Sequence, residues 1–127
     1  MSIKQYLLLF ALSNIAFTIS TKVIEVDSKN FDTVVLQSKI PVILDVYATW
    51  CGPCRNMAPI FERVSNDFEG KLLFAKMDYD KSEKLAQKLG VTMLPTFVIY
   101  NKGSKTDFIP GSLQEAKLRD LAQSQIK

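Results

Sequence analysis

The stretch from Pro41 to Tyr47 constrains this chain more than any other. After Pro41, the residues Val42-Ile43-Leu44-Asp45-Val46-Tyr47 form an almost unbroken apolar run. A half-solvated strand alternates apolar and polar residues, whereas a continuous run reads as a strand buried on both faces. Such a strand needs cover above and below, so helices must pack on both sides of a sheet. The remaining segments supply them. Val23-Ile24-Glu25-Val26 alternates as a short strand, and Asp27 or Ser28 can cap a helix carrying Phe31, Val34 and Val35 on one face. Met57, Ile60, Phe61, Val64 and Phe68 recur at helical spacing up to the stop signal Gly70; Pro59 removes one donor and predicts a kink. Leu72–Met77 reads as a strand, Ser82–Leu89 as a helix ended by Gly90, and Thr96–Tyr100 as a strand after Pro95. Asn101-Lys102-Gly103 reads as a hairpin turn leading into Lys105–Ile109. Gly111-Ser112 then caps a last helix with Leu113, Leu118, Leu121 and Ile126 as apolar positions. This order predicts an α/β fold with a mixed central sheet and helices on both faces.

The buried strand leads directly into Trp50-Cys51-Gly52-Pro53-Cys54, which holds both cysteines of the chain. So short a loop removes little entropy from the unfolded chain, so the pair is better suited to carrying electrons than to stapling the fold. Structural zinc needs four protein ligands, and the chain has no histidine and no third cysteine. Only zinc shared between two chains stays open. The same absences exclude histidine-activated nucleophiles and c-type haem attachment. Dithiol–disulfide chemistry remains. Cys51 is the candidate nucleophile, because the free N–H groups of the following helix favour its thiolate. Cys54 lies one turn further in and suits the resolving step. Gly52 permits close approach, and Pro53 suits an early helical position.

Asp45 is a carboxylate inside the apolar strand, six residues before Cys51. It has two readings: a strand-end aspartate reaching water, or a buried acid with raised pKa that takes the Cys54 proton through water. Lys76, the only charge in its own strand run, is a candidate partner for Asp45, with surface placement as the alternative. By sequence statistics alone, Pro95 starts its strand after a trans bond.

At 127 residues, with 47% apolar residues, one domain with a real core is expected. The net charge of +3, without a basic run interleaved with aromatics, argues against nucleic acid. Residues 1–20 differ in composition: Lys4 is their only charge, and an apolar stretch runs from Tyr6 to Phe17. This is the layout of a secretory leader, with cleavage after Ser20 or Thr18. The expected division is a leader over 1–20 and one domain over 21–127, exported to a periplasm, an extracellular space or a secretory lumen. An uncleaved anchor, a mitochondrial presequence and a cytosolic protein are the alternatives.

The residues resemble the thioredoxin family from about Val23 to Ile126. The likeness is carried by Asp45-Val46-Tyr47-Ala48-Thr49-Trp50-Cys51-Gly52-Pro53-Cys54, Pro59, Lys76, Asp80, Leu94-Pro95-Thr96, Asn101-Lys102-Gly103 and Gly111. It implies the thioredoxin fold, a cis bond at Pro95, and a docking face of Trp50, Gly52, Pro53, Leu94, Pro95 and Gly111. It places Asp45 and Lys76 at the family's buried acid–lysine pair. The implied activity is reversible reduction of client protein disulfides by a monomer without cofactor, metal or membrane anchor in its mature form. A separate reductase or membrane relay would resupply electrons. A disulfide donor or isomerase and a binding subunit of a larger complex are the competing readings. Two departures stand out: Tyr47, where many bacterial members have a second tryptophan, and Pro110 before Gly111, where a β-branched residue is common.

Overall fold

The computed structural model describes residues 2–5 and 23–127. The apolar stretch Tyr6–Phe17 and both expected cleavage positions lie outside the described residues. Five strands, β1 (Val23–Val26), β2 (Val42–Tyr47), β3 (Leu73–Asp78), β4 (Thr96–Asn101) and β5 (Ser104–Pro110), form one sheet in the order β1-β3-β2-β4-β5. The β1–β3 and β3–β2 pairs are parallel, while β2–β4 and β4–β5 are antiparallel, which makes the sheet mixed as expected.

Period-two alternation along β2 sends its side chains to two cores. Ile43 joins Phe74, Phe97 and Ile99 beneath α2 (Gly52–Asn66) and α4 (Glu115–Gln125). Val42, Leu44 and Val46 join Ala75, Met77 and Val98 on the other face, under a π-helical turn here called α1 (Asp32–Leu36) and under α3 (Glu83–Lys88). Phe31 and Val35 come from around α1, and Ala86 from α3. The continuous apolar run is thereby explained: β2 is central and covered on both faces. Each of the buried Val, Leu, Ile, Phe and Met side chains among them contributes about 1.5–3 kcal/mol of transfer free energy. Asp45 shares the parity of Ile43 and so belongs to the α2 face.

Local chemistry sets the element ends. Asp27 Oδ1 accepts from the N–H groups of Lys29 (2.8 Å) and Asn30 (3.2 Å), so Asp27, not Ser28, organises the turn before α1. Lys102 and Gly103, with φ of 50° and 81°, form the two-residue turn between β4 and β5. A Cβ on Gly103 would stand 2.8 Å from the Leu36 carbonyl oxygen, so this position excludes a side chain twice over. The last helix begins later than its sequence signals imply. Gly111 adopts φ 93°, Gln114 is still extended, and Leu113 packs on the core before α4 starts at Glu115.

Candidate functional site

β2 ends at Tyr47, and a short loop carries Trp50 and Cys51 to the start of α2. Cys51 stands at the N-cap of that helix, and its Sγ accepts the Cys54 N–H at 3.2 Å. Hydrogen bonding and the helix's unpaired N–H groups both favour negative charge on this sulfur. Pro53 lies in the first turn, where its missing N–H leaves no bond unmade. Cys51 and Cys54 are joined as a disulfide, with Cα atoms 5.2 Å apart.

The two sulfurs border different spaces. Cys51 lies on an open groove of about 220 Å³ with Trp50, Tyr79, Thr92, Met93 and Leu94. Trp50 is 65% exposed, and its indole N–H donates to Asp80 Oδ2 at 2.8 Å, which fixes the ring against the β3–α3 loop. The Leu94–Pro95 bond is cis, as the family resemblance implies. Gly111 closes the arrangement by donating its N–H to the Pro95 carbonyl at 2.8 Å. Pro110 pairs with Thr96 at the end of the edge strand β5, a place where a missing N–H is tolerated.

Cys54 borders a cavity of about 40 Å³ shared with Asp45, Tyr47, Phe61, Glu62 and Lys76. Asp45 is 4% exposed, and its Oδ1 has no hydrogen-bond partner among the described residues. Burial raises its pKa to about 7, an effect only partly offset by attraction to Lys76. Lys76 is the register partner of Asp45 in the neighbouring strand. Its ammonium, however, forms its ion pair with Glu25 Oε2 at 3.7 Å, and its side chain is 39% exposed. Lys76 therefore lines the cavity and also reaches the surface, where its ion pair is with Glu25 and not with Asp45.

Among the described residues no group of three or more His, Cys, Asp or Glu could hold a metal. Sequence reasoning assigned no role to Met93, which is 51% exposed on the groove beside Cys51. The only hint was an apolar residue in a loop with no periodicity to bury it. In the sequence Glu25 likewise stands out only as part of a strand.

The sequence profile of the family described as Thioredoxin matches residues 22–124. The chain belongs to the thioredoxin family. It is 46% identical over 81 residues to "Thioredoxin H-type" of Chlamydomonas reinhardtii, covering 64% of this chain and 71% of the relative. To "Thioredoxin 1" of Nostoc sp. it is 31% identical over 102 residues, or 80% and 95% of the two chains. "Thioredoxin M-type, chloroplastic" of Zea mays is 32% identical over 105 residues, covering 83% of this chain and 63% of the relative. With its reversible cysteine pair, this thioredoxin-family protein is a protein dithiol–disulfide oxidoreductase. The disulfide-donor, isomerase and binding-subunit readings gain no support from these matches. No helix among the described residues is long and apolar enough to cross a membrane.

Proposed function

We propose that the protein works mainly as a reductant of client protein disulfides, with Cys51 as nucleophile and Cys54 as resolving thiol. The separation of the two sulfurs, Cys51 on an open groove and Cys54 on a smaller, narrower cavity that holds Asp45, is the observation that carries this reading. The Cys51 thiolate attacks one client sulfur, forming a mixed disulfide and releasing the other client sulfur as a thiolate. The Cys54 thiol then gives its proton to Asp45 and attacks Cys51 Sγ. This regenerates the disulfide seen here and releases the second client thiolate. Two electrons pass to the client, whose two thiolates take up two protons. A cavity of about 40 Å³ has room for one water between Cys54 and the unpaired Asp45 oxygen, which supports a water-relayed transfer. Lys76 tempers the Asp45 charge from the cavity rim.

Clients dock as extended segments on Trp50, Gly52, Pro53, Leu94, Pro95 and Gly111. The backbone of Leu94 offers strand-like hydrogen bonds to such a segment. Met93 extends the same apolar face. A reductase or a membrane electron relay regenerates the dithiol, and the working unit is a monomer. Residues 1–20 act as a leader that delivers the domain over 21–127 to an exported compartment, a reading supported by their composition. The chloroplastic names of relatives from Zea mays and Oryza sativa favour a second reading, in which the leader directs the chain to an organelle.

Trapping tests the roles. Cys54→Ser should accumulate a mixed disulfide through Cys51, while Cys51→Ser should lose essentially all turnover and trap nothing. A client linked to Cys54 instead would overturn the assignment. Equilibration of the couple with glutathione tests direction, since a potential near those of the strong oxidants would reverse the proposed electron flow.

A further inference from the structure

Three charged residues lie in a row across three adjacent parallel strands. Glu25 of β1 is the register partner of Lys76 of β3, and Lys76 is the register partner of Asp45 of β2. Register partners in parallel strands project from the same face, so Lys76 stands between two carboxylates. One is buried and the other is half exposed. The ammonium takes the exposed one, with Nζ 3.7 Å from Glu25 Oε2. The second Glu25 oxygen, Oε1, accepts the Tyr47 hydroxyl at 2.8 Å. Lys76 Nζ also stands 5.8 Å from the centre of the Tyr47 ring, a cation–π approach that ties the trio together. Tyr47 and Lys76 both line the cavity that joins Cys54 to Asp45. Glu25 does not line it, yet it holds two of the side chains that do.

The outcome follows from desolvation. An ammonium moved fully against Asp45 would lose water on both partners, whereas at Glu25 both side chains stay partly exposed to water. The remaining groups facing this site are Glu62 and Cys54 of α2 and Asp78 of β3, while the β4 partner of Asp45 is the apolar Phe97. Among the described residues facing this site, Lys76 is therefore the one cation among several acids, and the carboxylate that claims it matters.

We infer that Glu25 is a positioning residue of the redox site: it draws the Lys76 ammonium to the cavity mouth and anchors Tyr47 beside it, leaving Asp45 free to hold the proton released by Cys54. This role rests on the acid–base function proposed for Asp45. It explains why a residue at the sheet edge, outside the cavity, is bonded to both Tyr47 and Lys76 at its rim.

Titration of the Asp45 side-chain carboxyl by carbon NMR, in the oxidised full-length protein, tests it. Glu25→Gln should lower the Asp45 midpoint by about half a pH unit or more, because Lys76 is released toward Asp45 and a nearby negative charge disappears. Lys76→Gln should raise the midpoint. In the Lys76→Gln background, Glu25→Gln should move the midpoint far less than in the wild type. An equal displacement in both backgrounds would show that Glu25 acts by its charge alone and would overturn the positioning role. So would an unmoved midpoint in Glu25→Gln. The pH profile of client disulfide reduction should follow the same direction as the titration. A wild-type Asp45 that titrates as an ordinary carboxylate would instead defeat the acid–base reading itself, so the two failures are distinct. Glu25 is half exposed, and an unchanged amide spectrum will confirm that the variants are folded.

Discussion

The two spaces beside the disulfide are built in different ways. The groove at Cys51 is open, about 220 Å³, and made largely by loops: Trp50, Tyr79 and the segment Thr92–Leu94. The cavity at Cys54 is about 40 Å³ and made by side chains of strands and a helix whose register is fixed. Tyr79 and Leu94 anchor the groove to the core, while Trp50 and Met93 stand exposed on it and can meet clients of different sequence. Proton handling tolerates no such latitude, since a buried carboxylate depends on each neighbouring charge. On the function proposed above, recognition and proton transfer are divided between two spaces that share the disulfide.

The largest expected effect tests the cavity. Asp45→Asn should slow resolution of the mixed disulfide by about 10²-fold or more, as loss of a general base does, with little change in client docking. It should also change the pH dependence of stability. Folded Asp45 holds its proton to about pH 7, against an ordinary value of 3.8, because burial disfavours its charge. The stability linked to this proton is fully present below about 3.8 and is lost as pH rises through about 7. That gap corresponds to about 4 kcal/mol. Denaturant unfolding should therefore find Asp45→Asn more stable than wild type at pH 8 by up to this amount, with the gain fading toward pH 4. A gain that grew in acid would break the assignment of Asp45 as a buried, protonated acid.

A smaller effect tests the groove. Met93→Glu places a charge on the apolar face and should raise KM for an extended apolar client by about tenfold, with kcat nearly unchanged. The Asp45 titration should not move. A change in kcat or in the pH profile, without a change in KM, would show that the two spaces are not independent. The smallest effect lies away from both. Gly103→Ala should destabilise the fold by about 1–2 kcal/mol, because its positive φ and the Leu36 carbonyl leave no place for a Cβ. Reduction kinetics in the folded fraction should match wild type.

Much of this organisation is legible along the chain, and the limits are physical. The hairpin follows from Asn101-Lys102-Gly103, since a left-handed turn has few sequence solutions. Helix α2 follows from its apolar spacing, and its first turn from Gly52-Pro53. The start of α4 does not. Gly111-Ser112 looks like a cap, but a left-handed residue at Gly111 and burial of Leu113 keep the chain extended to Gln114. Met93 was missed because exposure in a loop leaves no periodic trace. The cis bond at Leu94–Pro95 runs against local statistics and became an expectation only through the family resemblance.

The amino-acid order by itself determined the chemistry. Two cysteines three positions apart, no histidine and a doubly buried strand ending beside them leave dithiol exchange on an α/β sheet. Which acid claims the lysine was decided only in three dimensions. Asp45 and Lys76 are 31 positions apart, and Glu25 and Lys76 are 51 apart. Both pairs become neighbours through strand register, and only burial distinguishes them. Desolvation then favours the exposed Glu25, and among the described residues Asp45 has no ion-pair partner beside Cys54.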